Sequence, residues 1–168
     1  MKYKIFFVIL ILAAVLDQVT KAYISWSFSI GESVDVIPSY FNLTFIQNYG
    51  IAFGFLSGLD PLIRSPLLIL LPMVAFVVIF LSLRETKEND LLSIISFSLI
   101  AGGALGNLLD RIRLGFVIDF LDFHFDSQWH YPAFNMADVA ICSGVGILLI
   151  LTIRDGRKEA KVKTHQNT

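Results

Sequence analysis

Residues 132–153 read PAFNMADVAICSGVGILLILTI. Beyond Met136 the stretch is almost wholly apolar, and a helix rising 1.5 Å per residue over it spans about 30 Å of hydrocarbon. One carboxylate, Asp138, stands near its start. Two readings compete for that residue. Asn135 is a favoured helix N-cap, which puts Asp138 three residues on, where an acid suits the helix dipole. Alternatively Asp138 does chemistry, the default hypothesis for an ionisable group inside a membrane span.

The rest of the chain sets the surroundings. It has 168 residues, 55% hydrophobic and only 16% charged, with a mean hydropathy of +0.70. That is too apolar for a soluble domain and belongs to the membrane class. A net charge of −1 argues against nucleic acid as a partner. The single cysteine, Cys142, lies inside the last apolar run; it permits no disulfide within the chain and reads as a packing residue.

Four segments are long enough to span: 5–28, 62–83, 91–109 and 134–153. The first follows Lys2 and Lys4 as a signal peptide would. Apolar sequence resumes after Lys21 without a clear small-x-small cleavage site, so it reads as a retained span. The expected architecture is an α-helical polytopic membrane protein: a four-transmembrane-helix bundle forming one domain over 1–168. The connections 29–61 and 110–133 lie on one side. Basic residues set the orientation. Lys2, Lys4, Arg84, Lys87, Arg154, Arg157, Lys158, Lys161 and Lys163 fall on one side, nine of the thirteen. Both termini are therefore expected in the cytoplasm, with the two longer connections outside.

Those connections carry strand patterns. YFNLTFIQN, residues 40–48, alternates apolar and polar positions and reads as a half-buried strand. GFVIDFLDFHFDSQWHYP, residues 115–132, reads as an aromatic hairpin turning near Asp126 and Ser127. A small extracytoplasmic β-element lying on the bundle is expected.

The polar groups gather at one depth. Asp17 lies about 18 Å up the first span, with Lys21 four residues on. Asn107 lies about 24 Å up the third, with Asp110 and Arg111 at its exit. Asn135 and Asp138 lie within about 6 Å of the outer start of the fourth, which runs the other way. The inner halves of the spans carry no charge. Each group has an ordinary explanation: Asp17 and Lys21 as a snorkelling i,i+4 pair, Asp110 and Arg111 as interface markers, Asn135 and Asp138 as a cap. Together these explanations weaken, because ending four helices does not require collecting charges in one leaflet. Gly102-x-x-x-Gly106 and Ala140-x-x-x-Gly144 offer close-packing faces that would bring Asn107 and Asp138 toward one seam.

Asp119, in FVIDFLDF, is the acid flanked by bulky apolar groups; Asp122 and Asp126 fit a solvated strand face. Only a fold-back of the hairpin onto the fourth span would pair Asp119 with Asp138. Two carboxylates sharing a site cannot both ionise easily, so one holds a proton. Such a pair can activate water and protonate a carbonyl oxygen without a metal or a covalent intermediate. His124 and His130 lack the spacing of a metal site. Ser25 beside Lys21 carries no other mark of a nucleophile, and GGALGN, lying inside a span, is no phosphate loop.

The motifs DQVTK (17–21), NYGIAFG (48–54), GNLLDR (106–111), VIDF (117–120) and FNMAD (134–138) occur together, in order, over most of the chain. In this the sequence resembles bacterial lipoprotein signal peptidase, the signal peptidase II family; Ile51 stands where many members have a small residue. The resemblance implies an aspartic endopeptidase of the inner membrane. It would cut the signal peptide from a diacylglyceryl-modified prolipoprotein, before the lipidated cysteine. It implies Asp119 and Asp138 as the catalytic dyad. It implies Asp17, Lys21, Asn48, Gly54, Asn107, Asp110, Arg111 and Asn135 as substrate-binding or supporting residues. No metal or other cofactor is expected. The expected partners are the lipid-modified substrate, membrane lipid and a globomycin-type inhibitor, the protein being a monomer with its site near the extracytoplasmic surface. Strand addition along Phe41–Asn48 would hold an extended substrate. The rival readings are a small transporter using Asp17, Lys21, Asp110 and Asp138 as an ion relay, and a purely structural membrane subunit. The first predicts polar groups in both halves of the membrane; the second predicts tolerance of isosteric changes at the acids.

Overall fold

The computed structural model describes the backbone of residues 1–50, 58–125 and 129–166, with side chains throughout except at 129–130 and 158–166. Its elements are α1 (Lys2–Ser27), β1 (Ser33–Ile37), β2 (Phe41–Asn48), α2 (Pro61–Glu85), α3 (Leu91–Leu114), β3 (Val117–Phe125), β4 (Trp129–His130) and α4 (Met136–Gln166). All four helices are long and apolar enough to cross a membrane, the last over Met136–Arg157.

Local sequence explains where the helices begin and end. Asp60 caps α2 by accepting the N–H of Leu62 at 2.8 Å, and Pro61 takes the first helical position, where no N–H is needed. Asp90 caps α3 through Ser93. At the other end of α3, Gly115 adopts φ 81°, the left-handed conformation that ends a helix at least cost for glycine. Hydropathy placed this exit at residue 109, but the helix runs to Leu114. Asp110 and Arg111 are therefore helical rather than part of the outer connection, because the carboxylate and guanidinium find partners within the protein.

α3 is the central helix and packs against α1, α2 and α4. Apolar burial drives helices together weakly in lipid, so close approach decides the packing. A side chain at Gly102 would strike Leu10 and Ala13 of α1, and one at Gly106 would strike the Asp17 carboxylate. The glycine pair thus faces α1. Gly103, between them, meets Ala137 and Ile141 of α4, and Gly144 meets Ser96 and Ile100 of α3. Phe6, Leu10, Ile79, Leu83, Ile94 and Ala101 fill the end of the bundle that holds the N-terminus.

At the opposite end the strands form an antiparallel sheet in the order β1-β2-β3-β4. Its underside, Phe45, Ile118 and Phe120, packs on Ile24 of α1 with Met136 of α4 beside it. β1 is an element beyond the strands expected from the sequence, although its residues SVDVI alternate polar and β-branched side chains. Its presence on one side of Phe41–Leu43, with β3 on the other, closes that part of β2 to strand addition by a further chain. The polar positions of β2 are not solvated: Asn42 and Thr44 are buried, and so is Asp122, which pairs in register with Asn42. The hairpin turn expected at Asp126 and Ser127 lies outside the described residues.

Candidate active site

The fold-back that would pair Asp119 with Asp138 is made by Phe134. Its carbonyl accepts the N–H groups of Phe120 and Leu121 at 3.0 and 2.8 Å, and its N–H donates to Leu121 at 3.1 Å. The next residue, Asn135, starts α4. It is the N-cap that its sequence suggested, with the Asp138 N–H donating to its side-chain oxygen at 3.0 Å. In return the Asn135 N–H donates to Asp138 Oδ2 at 3.2 Å, a reciprocal capping box.

The Asn135 side chain is fully buried and its Nδ2 donates to Asp119 Oδ1 at 2.6 Å. One residue therefore holds both carboxylates. Each carboxylate has a second donor: Asn48 Nδ2 to Asp119 Oδ2 at 2.8 Å, and Asn107 Nδ2 to Asp138 Oδ1 at 2.9 Å. Asn48 is itself fixed by the Gly50 N–H at 2.8 Å. Asp119 is 2% exposed, whereas Asp138 is half-buried. Burial pushes the Asp119 carboxyl up to about 7; the Asp138 charge adds to that, and the amides of Asn48 and Asn135 oppose it.

Behind the pair lies a buried ionic layer. Lys21, 2% exposed, donates to Asp17 Oδ2 at 2.8 Å, Asp110 Oδ2 at 2.9 Å and Asn107 Oδ1 at 2.9 Å. All three ammonium protons are used, so the lysine does not snorkel. With the oxygen of Asn107 committed to Lys21 and to Asn135 Nδ2 at 3.2 Å, its NH₂ must face Asp138. Arg111 donates to the carbonyls of Gly50 and Asn107 at 2.9 and 3.4 Å. Its Nε is buried without a hydrogen-bond partner among the described residues, and the charges of Asp138, Asp119 and Asp110 all reach it.

Of the residues singled out in the sequence, Asp17, Lys21, Asn48, Asn107, Asp110, Arg111, Asp119, Asn135 and Asp138 form one hydrogen-bonded and electrostatic cluster. Gly54 lies outside the described residues. Among the described residues no three His, Cys, Asp or Glu side chains are arranged to hold a metal ion. Sequence reasoning passed over Gln18. Its Nε2 reaches Asp110 Oδ1 at 2.9 Å, and Asp17 Oδ2 and the Gly106 carbonyl at 3.2 Å. An amide beside an acid within an apolar run was the signal.

Fold and site together define a class: a polytopic membrane protein with a buried polar centre at one end of its bundle, roofed by a small sheet. The family profile described as Signal peptidase (SPase) II matches residues 9–154. The chain belongs to the signal peptidase II family and is a membrane peptidase. It is similar to two curated proteins called lipoprotein signal peptidase. The Geobacter metallireducens protein is 42% identical over 159 residues, covering 95% of this chain and 96% of that one. The Geobacter sulfurreducens protein is 43% identical over 158 residues, covering 94% and 97%. Two solved structures share the fold. One, described as a bacterial membrane enzyme determined by the in meso method at 2.3 Å, superposes with a TM-score of 0.80 at 31% identity, covering 90% of this chain and 88% of that one. The other, described likewise at 1.9 Å, gives 0.77 at 31% identity, covering 89% and 93%.

Proposed function

We infer that this peptidase removes the signal peptide from diacylglyceryl-modified prolipoproteins, cutting before the lipidated cysteine, with Asp119 and Asp138 as the working pair. The observation that carries the reading is the grip of Asn135 on both carboxylates, its side chain on Asp119 at 2.6 Å and its backbone on Asp138 at 3.2 Å. The names of the curated relatives support the substrate class.

The roles follow from burial and exposure. Asp119, deeply buried and pushed up to about 7, holds the shared proton at rest. Asp138, half-buried at the N-terminal turn of α4, is the more accessible partner and meets the water. Asp138 takes a proton from a water molecule as its oxygen attacks the scissile carbonyl, and Asp119 gives its proton to the carbonyl oxygen. As the C–N bond of the tetrahedral diol breaks, Asp138 gives its proton to the leaving nitrogen and Asp119 takes the proton of one diol hydroxyl as the new carboxyl group forms, which restores one proton to the pair, on Asp119. Asn48, Asn107 and Asn135 hold the carboxylates where water is scarce. Arg111 brings a positive charge beside them.

The positive-inside bias places both termini in the cytoplasm and the site at the extracytoplasmic surface of the bacterial inner membrane, where a lipidated cysteine lies. The chain acts as a single-domain monomer. With purified protein in lipid, a lipidated prolipoprotein should be cut and its unlipidated form should not; a globomycin-type peptide should block the reaction and a chelator should not. Equal cleavage of both substrates would contradict the substrate assignment. Loss with a chelator, reversed by a metal, would contradict the two-carboxylate chemistry.

A further inference from the structure

Two carboxylates outside the working pair stand in matching positions. Asp17 Oδ1 accepts the N–H of Ala137 at 2.9 Å, and Asp110 Oδ2 accepts the N–H of Ile118 at 3.2 Å. Ala137 immediately precedes Asp138, and Ile118 immediately precedes Asp119. Each acid therefore grips the backbone one residue before a member of the pair. The Ala137 N–H is one of the first-turn donors that a helix cannot satisfy internally, so this grip is a true anchor.

The two grips are themselves tied. Lys21 bridges Asp17 Oδ2 and Asp110 Oδ2 at 2.8 and 2.9 Å, and its third proton goes to Asn107. It has no donor left. Two carboxylates on one cation still have free lone pairs in a buried layer, and Gln18 supplies the remaining donors. Its Nε2 reaches Asp110 Oδ1 at 2.9 Å, and Asp17 Oδ2 and the Gly106 carbonyl both at 3.2 Å, so one N–H serves Asp110 and the other is shared between Asp17 and Gly106. Arg113 donates to the Gln18 oxygen at 3.2 Å, which turns the NH₂ end toward the acids. Gly106 leaves the space for this, since a side chain there would meet the Asp17 carboxylate.

We propose that Gln18 is a positioning residue for the peptidase reaction: together with Lys21 it ties Asp17 to Asp110 and so fixes the spacing of the backbone amides before Asp138 and Asp119. This rests on the reading of Asp119 and Asp138 as the working pair. A loosened tie lets β3 and α4 separate at the site. Asp119 is then better hydrated and farther from Asp138, and both effects lower its affinity for the proton. Among the described residues the charges that act on it are those of Lys21 of α1, Arg111 of α3 and Asp138 of α4; β2 contributes the neutral Asn48.

The test uses the full chain in lipid bilayers, as wild type, Gln18→Met, Gln18→Glu and Asp119→Asn. Infrared spectroscopy follows the protonated carboxyl band that Asp119→Asn abolishes, and cleavage of a lipidated prolipoprotein gives kcat and KM. Gln18→Met should move the band's midpoint to lower pH and lower kcat on the order of tenfold, with KM held within about twofold. Gln18→Glu loses the same donors and repels Asp17 and Asp110, so the tie opens and the midpoint should again move to lower pH; a move to higher pH is the bare effect of the added charge and overturns the proposal. A midpoint unchanged in both variants overturns the proposal, even where thermal stability falls, because that is the result of a merely structural glutamine. If Gln18→Met does not fold, Gln18→Glu alone decides by the same criterion. Cleavage by Asp119→Asn sinks the working-pair reading instead, and the infrared midpoints still decide the tie.

Discussion

The bundle buries a lysine at each end, and the two are built differently. Lys21, at the end beneath the sheet, faces two carboxylates and an amide. Lys2, at the opposite end and 7% exposed, directs its Nζ to main-chain oxygens, donating to the carbonyls of Arg84 and Thr86 at 2.9 and 2.6 Å. Those are carbonyls at the C-terminal end of α2, which no intrahelical N–H can satisfy. In exchange Glu88 accepts the Lys2 N–H and the Met1 amine, both at 2.9 Å. These contacts hold the Glu88 carboxyl below the usual range, the Lys2 N–H contributing most. One lysine closes the ends of two helices. The other balances charges that no helix end requires. Ion density beyond the needs of the fold marks the functional end.

The comparison breaks first at Lys21. Lys21→Met strands Asp17 and Asp110 in a buried layer and should cost about 3 to 5 kcal/mol of stability, measured by reversible unfolding in mixed micelles. A loss below about 1 kcal/mol would mean that the layer takes up protons at no cost. Asp119→Asn should act in the opposite direction. With its carboxyl pushed up to about 7, the folded protein holds a proton that the unfolded chain has released. Wild-type stability therefore falls as pH rises from the ordinary carboxylate range to about 7, and is level above it. The variant lacks that loss. It should be more stable than wild type by about 4 kcal/mol at pH 8, with the difference vanishing near pH 4. A difference independent of pH would contradict the raised carboxyl. Lys2→Met should cost only about 1 to 2 kcal/mol, the worth of its carbonyl hydrogen bonds, and leave cleavage unchanged. Glu88→Gln, at an exposed position, should leave the melting temperature where it was; a marked fall would give the Lys2 end an ionic role it is not assigned here.

The two ends were unequally legible in the sequence. The functional end announced itself because polar residues inside apolar runs are costly, and Asp17, Lys21, Asn107 and Asp138 fell at one depth. The four helices followed from the same runs. Other features depend on partners distant in the chain. Lys2 reads as a topogenic charge until the α2–α3 turn is placed beside it. Ser33–Ile37, SVDVI, does alternate polar and β-branched residues, but it is short and exposed throughout, and pairing with β2 is what makes it a strand. Asp122 looks solvated until Asn42 is set opposite it. Gln18 is one letter in DQVTK, and its meaning comes from Asp110, whose carboxylate reaches back across α1. The glycine pattern signalled close packing but not its direction: Gly102 and Gly106 face α1, and it is Gly103 that admits α4.

The most direct measurement of the central claim is turnover of a lipidated prolipoprotein by Asp119→Asn and Asp138→Asn, each shown by its unfolding transition to be folded. Both should lose at least about a thousandfold in kcat, with substrate binding retained. Cleavage by either variant within about tenfold of wild type would contradict the assignment of the pair.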